Sequence, residues 1–218
     1  RQELKNFRIK LIFNLLWPGP YGKRAKQLQK GAGFYPIDHK SIDKFVNLYS
    51  EIIPEIDILG AWGKAFAWPE YLVESSIPFI PLESLSPWVD TWSRKVGYGQ
   101  KGELKQHHPW SEAFNDKKIL VVTPFSDSAS SQLSRINLVF PDFYPKMRVT
   151  FVKAPMTMGG ATDGYSWFEK LEKTKFELEK NEFEIALVSA GSYSLPIAAH
   201  AKKMGKIGIH TGGALQLF

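Results

Sequence analysis

The chain has 218 residues, enough for one large domain with a substantial core, and its 44% hydrophobic and 23% charged residues are ordinary for a globular protein. No Cys is present, which excludes disulfides, thiolate catalysis and Cys-ligated metal and makes a reducing cytoplasm the expected compartment. The 28 basic against 22 acidic residues leave a charge of +6, which suits an anionic ligand; no nucleic-acid motif accompanies it, so no nucleic-acid partner is expected.

Arg1–Trp17 reads as a helix, with Leu4, Phe7, Leu11 and Leu15 as its apolar stripe and Pro18-Gly19-Pro20 as its stop. Its apolar part, Ile9–Trp17, is far shorter than the roughly 20 residues that span a bilayer. A buried helix is expected there, with peripheral membrane contact as the alternative. The chain starts at Arg1 rather than Met and stops at Phe218 inside an apolar run, so a longer protein is expected around it.

Tyr21–Pro36, with Gly22, Gly31 and Gly33, reads mostly as loop with one turn near Lys23–Gln29. Asp38 or His39 is placed to cap a helix over Ser41–Ile53, closed by Pro54. Ile56–Gly60 is a short strand, Trp68–Val73 a brief helix and Phe79–Leu82 another short strand. Ser84–Gly102 is a loop-rich insertion, and Pro109-Trp110-Ser111 opens a short helix to Phe114. The insertion belongs to a Trp-rich lobe at about residues 62–116, whose Trp62, Trp68, Trp88, Trp92 and Trp110 suit either ring stacking on a ligand or a small local core.

Lys118–Thr123 (KILVVT) is continuously apolar, the pattern of a strand buried on both faces of a parallel sheet. A turn at Pro124–Ser128 and a helix over Ala129–Phe140 follow, then a strand at Arg148–Lys153 and a loop at Ala154–Gly164. Tyr165–Glu182 is a long amphipathic helix. Glu184–Ser189, Ala190–Ser192, Tyr193–Met204, Gly205 and Lys206–His210 then spell strand, turn, helix, stop and strand, one βαβ unit. The whole predicts a single Rossmann-like, three-layer α/β domain over 1–218 with a mostly parallel sheet.

In such sheets ligands bind beyond the carboxyl ends of the strands. Four turns fall there, at Gly60-Ala61-Trp62, Thr123–Ser128, Ala190–Tyr193 and His210–Gly213, and are expected on one sheet edge. The candidate ligand-binding residues are therefore Gly60, Trp62, Thr123, Ser126, Ser128, Gly191, Ser192, Tyr193, His210, Gly212 and Gly213. Gly allows close backbone approach and Ser/Thr hydroxyls add donors, although the same residues also simply cap helices and make turns. Neither a G-x-G-x-x-G fingerprint nor a P-loop is present, which disfavours nicotinamide redox chemistry. Asp127 is a carboxylate in the turn after the best strand, suited to an N-cap or, less simply, to a nucleophile or base. His210 ends a strand and is the candidate base. His200 lies mid-helix and is expected to be structural. Adjacent His107-His108 cannot easily face one metal ion, and no metal-ligand set stands out.

Pro109-Trp110-Ser111, Lys117–Ser128, Trp167-Phe168 and above all SAGSYSLPIAAHAKKMGKIGIHTGGALQLF resemble a family of uncharacterised bacterial proteins that accompany polysaccharide-assembly genes. That family looks like a relative of the GT-D glycosyltransferases. The resemblance covers roughly Gly31 onward. It implies a Rossmann-like fold, a nucleotide-sugar donor, a glycan acceptor, and a divalent cation such as manganese or magnesium with the nucleoside diphosphate. It also implies an Asp-x-Glu-type motif after the first strand, and no equivalent stands in Arg1–Tyr35. A non-catalytic nucleotide-binding protein of the same fold is the alternative.

Overall fold

A computed structural model describes residues 21–60, 82–83, 113–139, 146–160 and 163–212. The expected helix over Arg1–Trp17, most of the Trp-rich lobe, and the candidates Trp62 and Gly213 lie outside the described residues. The chain divides into two compact units, one from Arg1–Leu85 with Thr157–Trp167, the other from Ser86–Met156 with Phe168–Phe218.

The first unit opens on α1 (Tyr21–Ala32), where a loop was expected. Its glycines sit near the ends, and the stretch between them, Lys23–Lys30, consists of good helix formers. Gly33 stops α1 at φ 72°, its N–H donating to the Gln29 carbonyl at 3.0 Å. The Gly33 carbonyl in turn accepts from Thr157 Oγ1 at 2.7 Å. α2 (His39–Ile52) is capped by Asp38, whose carboxylate accepts the Ser41 N–H at 2.9 Å, so Asp38 and not His39 is the cap. Phe34, Phe45 and Trp167 form a buried aromatic cluster with ring centroids 4.5–5.5 Å apart. Two short strands, β1 (Leu59–Gly60) and β2 (Leu82–Glu83), pair in parallel in a sheet of their own.

The second unit is the α/β core. Its strands are β3 (Lys118–Thr123), β4 (Arg148–Lys153), β5 (Ile185–Val188) and β6 (Ile207–His210), all parallel, in the order β4-β3-β5-β6. Helices α3 (Ser126–Leu133) and α4 (Ile136–Val139) connect β3 to β4, α5 (Trp167–Glu179) precedes β5, and α6 (Ser194–Lys203) connects β5 to β6. The helix expected from Ala129 thus starts three residues earlier and is broken at Ser134-Arg135. α5 is shorter than its expected span at both ends.

Strand composition explains strand position. β5 is buried at every residue and β3 at four of six, as their apolar runs require, and they occupy the centre. β4, with three of six residues exposed, and β6, with two of four exposed and none fully buried, form the edges. Pleating sends Ile119, Ile185 and Leu187 to one face, where Phe114, Val121, Val149 and Ile209 join them. Leu120, Val122, Ala186 and Val188 turn to the other and are buried there. Right-handed crossovers put α3 on one face and α5 with α6 on the opposite one. The contact of His200 on α6 with Glu179 on α5, 2.7 Å, agrees with that placement and gives His200 a structural partner. α6 lies unusually close to β6, because a Cβ on Gly208 would come within 2.0 Å of the Ala198 carbonyl oxygen.

Candidate functional site

The order β4-β3-β5-β6 has a functional consequence that chain order alone does not reveal. From β3 the chain moves outward to β4, then returns across β3 to lay down β5 and continues to β6. The connections after β3 and β5 therefore leave in opposite directions, which makes the place between their carboxyl ends a topological switch point. Such a switch point is where open α/β sheets bind ligands.

On the β3 side, Thr123 Oγ1 accepts the Phe125 N–H at 3.3 Å and sets the turn into α3. Phe125 itself occupies the N-cap position, without a side-chain cap bond. A Ser, Thr, Asp or Asn there would stabilise the helix by about 1 kcal/mol. Asp127 is consequently not the cap that its sequence position suggests. It stands in the first turn and pairs with Lys153 at the end of β4, Nζ to Oδ2 2.6 Å. That hydrogen bond and the Lys153 charge hold its carboxyl below the ordinary carboxylate range, which makes it a weak base at neutral pH.

On the β5 side, the Ala190 N–H donates to Ser194 Oγ at 2.7 Å and the Tyr193 N–H to the Ala190 carbonyl at 3.1 Å. These bonds close a 3-10 turn, Gly191–Tyr193, that runs straight into α6. Ser192, Tyr193 and Ser194 are buried, whereas Gly191 is exposed at φ 56°. After β6, Thr211 Oγ1 donates to the Val188 carbonyl at 3.1 Å, and Ser189 Oγ donates to the Gly212 carbonyl at 2.6 Å. Three edge hydroxyls, those of Ser189, Ser194 and Thr211, are thus used to fix the loops at the carboxyl ends of β5 and β6.

His210 is exposed at the end of β6, yet desolvation by the surrounding chain holds its pKa below the ordinary histidine value. A neutral imidazole at pH 7 can accept a proton or donate one hydrogen bond.

The candidates sort accordingly. Ser128, Gly191, His210 and Gly212 are exposed at the carboxyl edge of the four-stranded sheet. Thr123, Ser126, Ser192 and Tyr193 belong to the same turns but are buried. Gly60 ends a strand of the separate two-stranded sheet, which corrects the expectation of four turns on one sheet edge. Lys153 and the clamping roles of Ser189, Ser194 and Thr211 were not legible in sequence, because cross-strand neighbours depend on sheet order. Among the described residues no three His, Asp or Glu side chains lie together as ligands for a metal ion. An open concavity of about 520 Å³ elsewhere, beside Lys26, Gln27, Lys30 and Gly31 on α1, has no such convergence of strand ends. No helix of the described residues is long and apolar enough to cross a membrane. Comparison of the chain with models of known protein families, with curated proteins and with solved structures gave no match.

Proposed function

We propose that the chain is a glycosyltransferase that takes a sugar from a nucleotide-sugar donor, in surface polysaccharide or glycoconjugate assembly. The donor diphosphate lies between the turns after β3 and β5. The observation that carries this is the topological switch point between β3 and β5, with exposed Gly191 in the turn after β5 and the N-terminal turn of α3 after β3. Backbone N–H groups and the positive end of a helix suit a diphosphate, as does the net charge of +6.

In the transfer an acceptor hydroxyl oxygen bonds to the anomeric carbon while the bond from that carbon to the diphosphate oxygen breaks. Fixed N–H donors at Gly191 and the first turn of α3 stabilise the charge on the departing diphosphate. His210, neutral and exposed, takes the acceptor's proton. A second function, nucleotide binding without catalysis, is favoured by one observation: the carboxylate at this edge, Asp127, is already held by Lys153.

The test is thermal unfolding and calorimetry of the full chain with nucleoside diphosphates and nucleotide-sugars, with and without manganese. Nucleoside diphosphates are expected to raise the midpoint, and Gly191→Val, which strains the turn at φ 56° and blocks close approach of the diphosphate, to weaken their binding about ten-fold. No stabilisation by any nucleotide overturns both functions. Binding without donor hydrolysis or transfer selects the second.

A further inference from the structure

We propose that Phe125 is the platform on which the nucleobase of the bound nucleotide stacks; this rests on the nucleotide site proposed above. Phe125 is a large apolar side chain left 42% exposed in the turn after β3, on one side of the switch point, between buried Thr123 and Ser126. A single exposed Phe is unremarkable on a protein surface. This one stands where a helix prefers Ser, Thr, Asp or Asn, and it supplies no cap bond.

Its backbone is nonetheless held on both sides. The Phe125 N–H donates to Thr123 Oγ1 at 3.3 Å, and the Phe125 carbonyl accepts from the Ala129 N–H at 2.9 Å. At φ −97° and ψ 27° it lies in the sparsely populated bridge region, where many functional residues sit. The ring is therefore carried on a fixed turn directly ahead of the helix end assigned to the diphosphate. A phosphate site with an exposed aromatic face beside it matches a nucleoside diphosphate, whose base offers a flat π-face next to its anionic end.

Calorimetry of the full chain with uridine, guanosine and adenosine diphosphates, a uridine nucleotide-sugar and inorganic pyrophosphate tests this. Phe125→Ala is expected to weaken the preferred nucleoside diphosphate and its sugar derivative alike, by between about five- and a hundred-fold. Pyrophosphate should change by less than about two-fold, and Phe125→Trp should retain tight nucleotide binding. An equal loss for pyrophosphate overturns the platform and makes Phe125 a shaper of the turn. A loss confined to the nucleotide-sugar overturns it in favour of contact with the sugar ring. If Phe125→Ala does not fold, Phe125→Leu carries the same comparison, because it keeps apolar bulk and removes the aromatic face. Wild-type binding with unchanged variants overturns the platform alone, whereas no nucleotide binding by the wild type overturns the proposed function and the platform with it.

Discussion

At Gly208 a single methyl group decides whether α6 can reach β6. A Cβ would stand 2.0 Å from the Ala198 carbonyl oxygen and 2.7 Å from its carbon, both backbone atoms that cannot swing aside. Gly208→Ala is expected to destabilise the α/β unit by about 3 kcal/mol, the upper range for overpacking, read as a fall in the urea midpoint. An unchanged midpoint would mean that the helix shifts freely. Gly208 looked in sequence like one small residue in an apolar run, since its neighbour comes from the preceding helix. The same reason hid Lys153 as the partner of Asp127. Residues whose roles are local were legible: Asp38 as one of two caps, and Gly205, which ends the α6 segment at φ 74°.

Among the elements, α1 and the turn before α6 show what local pattern does and does not carry. The glycines of Tyr21–Pro36 suggested a loop, but only Gly33 takes a left-handed conformation among them, and it stops a helix instead of preventing one. Burial of Ala25 and contacts with the Met158–Gly160 turn add what propensity alone could not. The Ala190–Tyr193 turn was expected from its small residues. The bond that shapes it, from the Ala190 N–H to Ser194 Oγ, lies in the first residue of the helix. Ser194→Ala leaves that buried N–H without its acceptor and is expected to cost about 1–3 kcal/mol in urea unfolding. Because the turn carries Gly191, the same variant should weaken nucleoside diphosphate binding. A change in stability with binding untouched would separate the turn from the site.

At the scale of the whole molecule, acid stability follows from two kinds of group. Asp127, Glu182 and Glu184 are exposed carboxylates whose pKa values are lowered by hydrogen bonds, to Lys153 for Asp127, to Lys118 for Glu182, and to the Lys118 backbone and Lys117 for Glu184. Groups with depressed folded pKa values contribute stability above their ordinary values, here 3.8 for Asp and 4.5 for Glu, and lose it as pH falls through the folded values. His210 has the same sign at higher pH, because desolvation disfavours its protonation below the ordinary 6.5. Unfolding free energy should therefore drift down from about pH 6.5 and fall further below about pH 4.5. Solvent and salt soften the lower step, since all three carboxylates are exposed. His210→Gln should remove the upper drift and Asp127→Asn part of the lower one; urea unfolding from pH 7.5 to 3.5 checks both, and a flat profile would contradict the assignments.

The amino-acid sequence by itself determined the α/β class, the parallel strands at Lys118–Thr123 and Arg148–Lys153, the closing βαβ unit and the turns at its strand ends. Each follows from interactions within a few residues, namely apolar runs long enough for a buried strand, helical spacing, and glycines where the chain must turn. Tertiary structure decided the order β4-β3-β5-β6, and with it the switch point between β3 and β5. It also assigned Gly60 to another sheet, the edge hydroxyls to clamping loops, and Asp127 to Lys153. Strand order brings together residues more than 60 positions apart, such as Ile119 and Ile185, through burial that no local pattern encodes.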